Sequence, residues 1–266
     1  MLGKLIKYDL KYAMKIFLLL HGGFLAVCLI LRFLFLDRLD FSESPEKLVM
    51  PFTLIILLVT FLLAAVTMAT SLLIALRFYR NMFSREGYLS WTLPASASQH
   101  LLAKFISGYV LAAADIVVIA LGLILLLTGA NITETYSQVA SEMEIYLGAS
   151  FGMYALKLFL FSVLFAFTSV IQIYFSIVLG QLFAEHRVLF ALAFYFLTGV
   201  VIQIIFSVVF VAMGISGGWL TEYTAEFNLS QYTDNMYLIT GIVSGILAVV
   251  EYIAANHIMK RRINLI

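Results

Sequence analysis

Residues 51–76 read PFTLIILLVTFLLAAVTMATSLLIAL, a run without a single charged side chain. An α-helix rises about 1.5 Å per residue, so roughly 20 apolar residues cross the ~30 Å hydrocarbon layer of a bilayer. A helix also satisfies its backbone polar groups internally, as lipid requires. This run is therefore predicted to be a transmembrane helix.

Five further runs in the chain are long and apolar enough to cross a membrane. The three prolines, Pro45, Pro51 and Pro94, lie at or outside the ends of these runs. The fourth run is longer than a span requires and is expected to begin as an interfacial segment around Ile145. Since there is no linker and no internal repeat, residues 1–266 are predicted to form one all-α integral membrane domain. Its six predicted spans are 16–36, 51–76, 102–128, 150–180, 188–213 and 237–258.

The overall composition supports a membrane protein and argues against a soluble enzyme. Hydrophobic residues make up 63% of the chain and charged residues 12%, against about 45–50% and about 25% in ordinary globular proteins. A soluble fold cannot bury so much apolar surface, because a single core stops growing with chain size. The one cysteine, Cys28, excludes an intrachain disulfide framework and a cluster of thiolate metal ligands.

The basic residues are distributed unequally between the two sets of loops. Lysine and arginine favour the cytoplasmic side of a membrane, so both chain ends are predicted to lie in the cytoplasm. Acidic residues gather in the opposite loops, among them Asp37, Asp40, Glu134 and Asp234. The basic set comprises Lys4, Lys7, Lys11, Lys15, Arg77, Arg80, Arg85, Lys104, Arg187, Lys260, Arg261 and Arg262.

Residues 2–15 have the pattern of an amphipathic helix lying along the inner membrane surface. At about 100° per residue, its four lysines fall within an arc of roughly 80°, and the apolar residues face the other way. One interpretation is an anchor that binds anionic lipid headgroups. The other is a lever that also touches a cytoplasmic partner, with Asp9 as a contact.

The cytoplasmic loop 77–94 reads RFYRNMFSREGYLSWTLP and is unlike a simple connection between spans. Short polar loops are the norm, whereas this one mixes aromatic and charged residues, with Gly87 and Pro94 as breaks. Its aromatic side chains must lie in the interface, pack under the bundle or fill a groove on another protein. Ser96 or Ser98 is predicted to cap the third span.

This loop resembles the segment between helices two and three of type-2 ABC-exporter permeases, most of all the short Gram-positive members that act beside a separate ATPase. The shared residues run from Phe78-Tyr79-Arg80-Asn81 through Phe83-Ser84 and Glu86-Gly87-Tyr88-Leu89 to Thr92-Leu93-Pro94. The likeness extends to the amphipathic N-terminal helix, the six spans and a glycine-containing outer segment between the last two, 214–235.

The resemblance implies a coupling helix that sits in a cleft of the ATPase subunit. It also implies two permease chains, foremost a homodimer, with two ATPases in the bacterial cytoplasmic membrane. A loop that merely stabilises the inner rim of the bundle is the alternative. The residues assigned to coupling are Arg80, Asn81, Phe83, Glu86, Gly87, Tyr88 and, in the loop 181–187, Glu185, which is otherwise an ordinary solvated charge.

The energy source is expected to lie outside this chain. The sequence has no Gly-x-x-x-x-Gly-Lys-Ser/Thr phosphate loop. The chain itself is therefore expected to be a transport subunit without catalytic residues, cofactor or metal. ATP and Mg²⁺ are expected on the partner ATPase, and lipid rather than nucleic acid is the other partner.

Three ionisable residues fall inside the predicted spans and are candidates for a translocation pathway. Asp115 lies halfway along the third span, where a charged carboxylate costs about 2.5–3.5 kcal/mol on insertion scales. It is expected either to line a translocation cavity or to form an interhelical hydrogen bond, for example to Gln172 or Ser162. Lys157 can extend outward, and Glu251 can lean towards the basic end of the last span.

The resemblance makes an ATP-driven exporter the leading hypothesis. Because the spans contain few polar groups, its expected passengers are amphipathic peptides or other hydrophobic compounds. The second is an ion-coupled secondary transporter that uses Asp115 and Glu251 as proton sites. The third is a non-transporting membrane scaffold or immunity protein that uses the cytoplasmic loop only as a docking surface.

Overall fold

The computed structural model describes residues 2–41, 44–183, 185–216 and 229–261, and within these ranges the chain is helical with no strand. A single 3₁₀ turn, Leu36–Arg38, follows the first helix. Most of the predicted outer segment 214–235, including Gly217, Gly218 and Trp219, lies outside the described residues. The α-helices are α1 (Leu2–Leu34), α2 (Pro45–Phe83), α3 (Arg85–Trp91), α4 (Ala97–Leu127), α5 (Ala130–Leu147), α6 (Phe151–Gly180), α7 (Arg187–Ser216) and α8 (Leu229–Arg261).

Within the described part of the chain, six helices are long and apolar enough to cross a membrane: α1, α2, α4, α6, α7 and α8. Each of them contains most of one predicted span. The prediction of an all-α, multi-pass membrane protein is therefore confirmed at this level.

The first helix differs from the prediction, because residues 2–15 and the first span form one continuous helix. Its buried positions recur every three or four residues without a break at residues 15 and 16, so the same face packs against the bundle along the whole helix. The expected separate N-terminal helix is thus the first part of α1. The buried residues are Asp9, Ala13, Phe17, His21, Phe24, Cys28 and Leu31.

The second helix also extends further than predicted, since residues 77–83 of the predicted loop are its last two turns. Phe78 and Met82 are completely buried. The ring of Phe78 stacks on that of Tyr174 in α6, with 4.0 Å between ring centroids. Burial of large apolar side chains stabilises these turns. Phe78, one of the aromatic residues of the predicted loop, is thus part of the protein interior.

Helix α5 was not predicted as an element of its own. It ends at Gly148, whose φ of 68° lies in the left-handed region that favours glycine at the end of a helix. Ser150 then caps α6, its side chain accepting a hydrogen bond from the Met153 amide. Ile145, expected to begin an interfacial part of the fourth span, instead belongs to α5 and is 81% exposed.

Helices α1 and α4 pack in parallel with a nearly constant register. Asp9 bonds Ser107, His21 bonds Asp115, and Arg32 bonds the Leu125 carbonyl, at sequence separations of 98, 94 and 93 residues. Close approach is aided by Gly122, where an added Cβ would lie 2.5 Å from the Phe24 ring.

The contacts define the two ends of the bundle. The basic end is where α1 and α4 begin and α2 ends, since Asp9 bonds side chains from both of the other helices there. The last turns of α8 reach the same end, because Ser98 bonds Asn256. The acidic end is the opposite one, where Asn131 of α5 donates to the Leu36 and Leu39 carbonyls.

Candidate functional site

Helix α3 is a seven-residue helix at the basic end, between α2 and α4. Ser84 separates it from α2 and accepts a hydrogen bond from the Glu86 amide at 3.3 Å. At Gly87, a Cβ would lie 2.7 Å from the Met82 carbonyl oxygen, so a side chain would force the two helices apart. The glycine allows α3 to fold tightly against the end of α2.

The inner side of α3 is fixed by Trp91. Its indole Nε1 donates to the Met82 carbonyl at 3.0 Å, a group at the end of α2 without an intrahelical partner. The indole also packs against His100 of α4, with 5.6 Å between centroids. Ser96 and Gln99 form a reciprocal capping box at the start of α4, so the predicted cap at Ser96 is confirmed.

The outer side of α3 presents apolar and charged groups away from the bundle. Tyr88 and Leu89 are 68% and 69% exposed, and Leu93 is also exposed. Arg80 donates to Glu86 at 2.7 Å in an exposed ion pair, which contributes about 0–1 kcal/mol to stability. We call Arg80, Glu86, Tyr88, Leu89 and Leu93 the α3 face.

Beneath α3, Asp9 is bonded to side chains of two other helices. Its Oδ1 accepts from Lys104 Nζ at 2.6 Å, Arg77 Nε at 2.9 Å and Asn81 Nδ2 at 3.2 Å. Its Oδ2 accepts from Ser107 Oγ at 2.6 Å. Because Asp9 is only 7% exposed, the idea that it contacts a cytoplasmic partner is wrong. It joins α1 to α2 and α4.

The residues assigned to coupling by sequence therefore separate into two groups. Arg80, Glu86 and Tyr88 lie on the α3 face. By contrast, Asn81 bonds Asp9, and Phe83 and Gly87 are buried, so these three support the surface from inside. Glu185, in the connection between α6 and α7, is exposed and makes no hydrogen bond or ion pair to another described residue.

A second polar cluster lies deep between α1, α2 and α4. His21 Nε2 is 2.6 Å from Asp115 Oδ1, and Thr70 Oγ1 donates to the same oxygen at 2.9 Å. His21 Nδ1 lies 2.9 Å from the Phe17 carbonyl oxygen. All three side chains are buried, and Asp115 is 3% exposed.

Hydrogen-bond chemistry restricts the protons of this cluster. A carbonyl oxygen only accepts, so His21 Nδ1 must carry a hydrogen. The short contact between Nε2 and the Asp115 carboxyl then requires one further proton. That proton rests either on the carboxyl of a neutral pair or on the imidazole of an ion pair, and the pair is electrically neutral in both cases. Neutrality removes the insertion penalty that a lone carboxylate would carry.

The prediction that Asp115 bonds an interhelical partner is confirmed, but the named partners are wrong. Gln172 bonds Thr198 of α7, and Ser162 bonds the Leu158 carbonyl of its own helix. His21 was missed as a partner, although it belongs to the buried positions of α1 that recur every three or four residues.

The structure does not join the three predicted pathway residues. Lys157 pairs with Asp234 at 2.8 Å, which ties α6 to α8 near the acidic end. Glu251 is 9% exposed and has no hydrogen-bond partner among the described residues. No hydrogen bond or ion pair within the described ranges links Asp115, Lys157 and Glu251 to one another.

In the described part of the chain, no group of three or more His, Cys, Asp or Glu side chains could hold a metal ion. Comparison with protein-family models found no matching family. Comparisons with curated proteins and with solved structures found no match either.

Proposed function

We propose that this chain is the transmembrane permease subunit of an ATP-driven ABC exporter. Its partner ATPase binds ATP and Mg²⁺ and engages the α3 face from the cytoplasm, so the basic end faces inward. Two such chains, as a homodimer, pair with two ATPase subunits in the bacterial cytoplasmic membrane. The passengers are amphipathic peptides or other hydrophobic compounds.

The observation that carries this proposal is the contrast between the two sides of α3. Its inner side is fixed through Gly87 and Trp91, whereas Tyr88 and Leu89 on its outer side are largely exposed. Tyrosine is typical of the centre of protein interfaces. An exposed aromatic side chain on a firmly supported helix is better suited to fill a groove of a partner than the same side chain on a flexible loop.

The supports of α3 give a route by which a partner could move the spans. A displacement of α3 would be transmitted to α2 through the Trp91–Met82 hydrogen bond and to α4 through the contact with His100. Asp9 extends the same connection to α1 through Lys104 and Ser107. Chains of packed side chains and hydrogen bonds of this kind carry energetic coupling between distant sites in proteins.

The test is to purify the chain with an ATPase encoded beside it and to measure ATP-dependent efflux from vesicles. Tyr88→Ala and Leu89→Ala should weaken ATPase binding by at least tenfold each, as truncation of a central interface residue does. The matched control is Ile145→Ala, an exposed apolar residue on α5, which should leave binding unchanged. The proposal fails if no ATPase copurifies and if Glu86→Ala leaves export intact.

The buried His21–Asp115 pair specifically favours a second candidate, an ion-coupled secondary transporter. An ionisable pair between three spans is the kind of group that carries protons in such proteins. This candidate predicts transport driven by a proton gradient without ATP, and loss of transport in Asp115→Asn. Exporter function instead predicts that Asp115→Asn retains ATP-dependent efflux.

A further inference from the structure

The first turns of α1 carry a cationic surface that no other described element neutralises. Lys4, Lys7, Lys11 and Lys15 are all exposed, and none forms an ion pair with another described residue. They lie on the side of α1 opposite to the buried stripe that packs against the bundle. Unlike Arg77 and Lys104, which share the Asp9 carboxylate, these lysines are available to an external anion.

Beside the lysines runs an apolar groove along the same helix. It is shallow, has a volume of about 630 Å³, and combines long apolar side chains with three of the lysine stems. Lys4 is not part of it. The described residues that line the groove are Gly3, Ile6, Lys7, Leu10, Lys11, Met14, Lys15 and Leu18.

The length of α1 sets the depth of each lysine. Arg32 caps the end of α4 by donating to the Leu125 and Thr128 carbonyls. An arginine at the end of a span is expected at the headgroup boundary, so we take Arg32 as the acidic-end limit of the hydrocarbon layer. Lys15 lies 17 residues earlier, or about 26 Å along the helix. This distance nearly equals the ~30 Å hydrocarbon thickness, so Lys15 lies at the opposite headgroup layer.

The depths of Lys11, Lys4 and Leu18 follow from the same rise per residue. Lys11 lies about 6 Å beyond Lys15, within the headgroup layer, and Lys4 about 16 Å beyond it, in water. Leu18 lies about 4–5 Å to the hydrocarbon side, level with the first methylenes of acyl chains. The groove thus places Lys11 and Lys15 at phosphate depth, Met14 level with them and Leu18 immediately on the hydrocarbon side.

We propose that this groove binds one anionic phospholipid, with its phosphate between Lys11 and Lys15 and the start of an acyl chain against Met14 and Leu18. Charge complementarity selects an anionic headgroup, because the lysines have no acidic counterpart within the described chain. The apolar wall selects a lipid over a soluble anion, which would gain nothing from Met14 and Leu18. The inference does not depend on what the chain transports.

The test uses the full chain in detergent and measures retained phosphatidylglycerol by native mass spectrometry during lipid titration. Each lysine near an anionic headgroup contributes about a fivefold gain in affinity. The double variant Lys11→Gln/Lys15→Gln should therefore weaken retention about 25-fold. The matched control Lys4→Gln makes the same charge change outside the groove and should weaken retention less than twofold.

Five outcomes would overturn the proposal. One is equal retention by the double variant and the wild type, and another is equal loss in Lys4→Gln, which would indicate diffuse attraction only. A third is retention of zwitterionic phosphatidylcholine as strong as that of phosphatidylglycerol. A fourth is displacement of the lipid by inorganic phosphate alone. A fifth is crosslinking of Met14→Cys to a second copy of the chain, which would show that the groove is a contact between protein chains. Circular dichroism of each variant checks that the fold is retained.

Discussion

The His21–Asp115 pair allows a quantitative test of how the bundle is held together. In a double-mutant cycle, His21→Ala, Asp115→Ala and the double variant are compared with the wild type. Each single change removes the bond between the two side chains and leaves the remaining one buried with that bond unmade, since both side chains are 3% exposed. The double change removes both groups, so neither His21 nor Asp115 is left buried without the other.

The expected coupling free energy is about 2 kcal/mol. Interhelical hydrogen bonds between neutral side chains in membrane bundles average about 0.6 kcal/mol, with a maximum near 1.7 kcal/mol. This pair should exceed that average because the bond is short, at 2.6 Å, and because each single variant leaves a buried ionisable group. Asp115→Asn should cost less than about 1 kcal/mol, because an amide nitrogen in the place of Oδ1 can donate one N–H to His21 Nε2 and the other to the Thr70 hydroxyl.

The measurement is equilibrium unfolding in mixed micelles with increasing dodecyl sulfate, followed by circular dichroism. Thr70→Val provides a control for loss of the weaker third bond, with an expected cost of about 0.5–1.5 kcal/mol. A coupling below about 0.5 kcal/mol would refute the reasoning. So would an Asp115→Asn variant as unstable as Asp115→Ala, because the negative charge itself would then be the stabilising feature.

Three further predictions concern the basic end and use the same unfolding assay. Gly87→Ala should destabilise by about 1–3 kcal/mol, since the new Cβ would lie 2.7 Å from the Met82 carbonyl; an unchanged midpoint would contradict the tight α2–α3 junction. Trp91→Phe should cost about 0.5–1.5 kcal/mol by removing the indole hydrogen bond, and no cost would mean that the bond contributes nothing. Ser107→Ala should cost about 1.5–3 kcal/mol, because it removes a bond to the Asp9 carboxylate; the exposed Ser137→Ala is the control and should cost under 0.5 kcal/mol.

The spans were predictable because crossing a bilayer depends on run length and apolarity, both of which are local properties of the sequence. Their ends were less predictable, since tertiary packing extends the helices. Phe78 and Met82 continue α2 because the interior formed with Tyr174 buries them. Helix α5 was missed because its polar sequence lacks the apolar run that marked the others.

The outward part of the α3 face was predictable from its unusual mixture of aromatic and charged residues, but its division into exposed and supporting residues was not. Nothing local distinguishes Phe83, which is buried, from Tyr88, which is exposed, until α3 folds back over the end of α2. The partners of Asp9 and Asp115 likewise depend on which helices are neighbours and in what register. That information arises only when α1 lies parallel to α4.

Polar bonds tie α1 to α4 near both ends and in the middle, at Asp9, His21 and Arg32. Sliding one helix past the other by a single turn, about 5.4 Å, would break all of them together and strand buried polar groups in an apolar interior. Helices α1 and α4 are therefore expected to move together as one rigid body. If a passage opens through the molecule, it would have to open between other helices. Those would be neighbours that meet through apolar side chains, which can shift past one another without leaving buried polar groups unpaired.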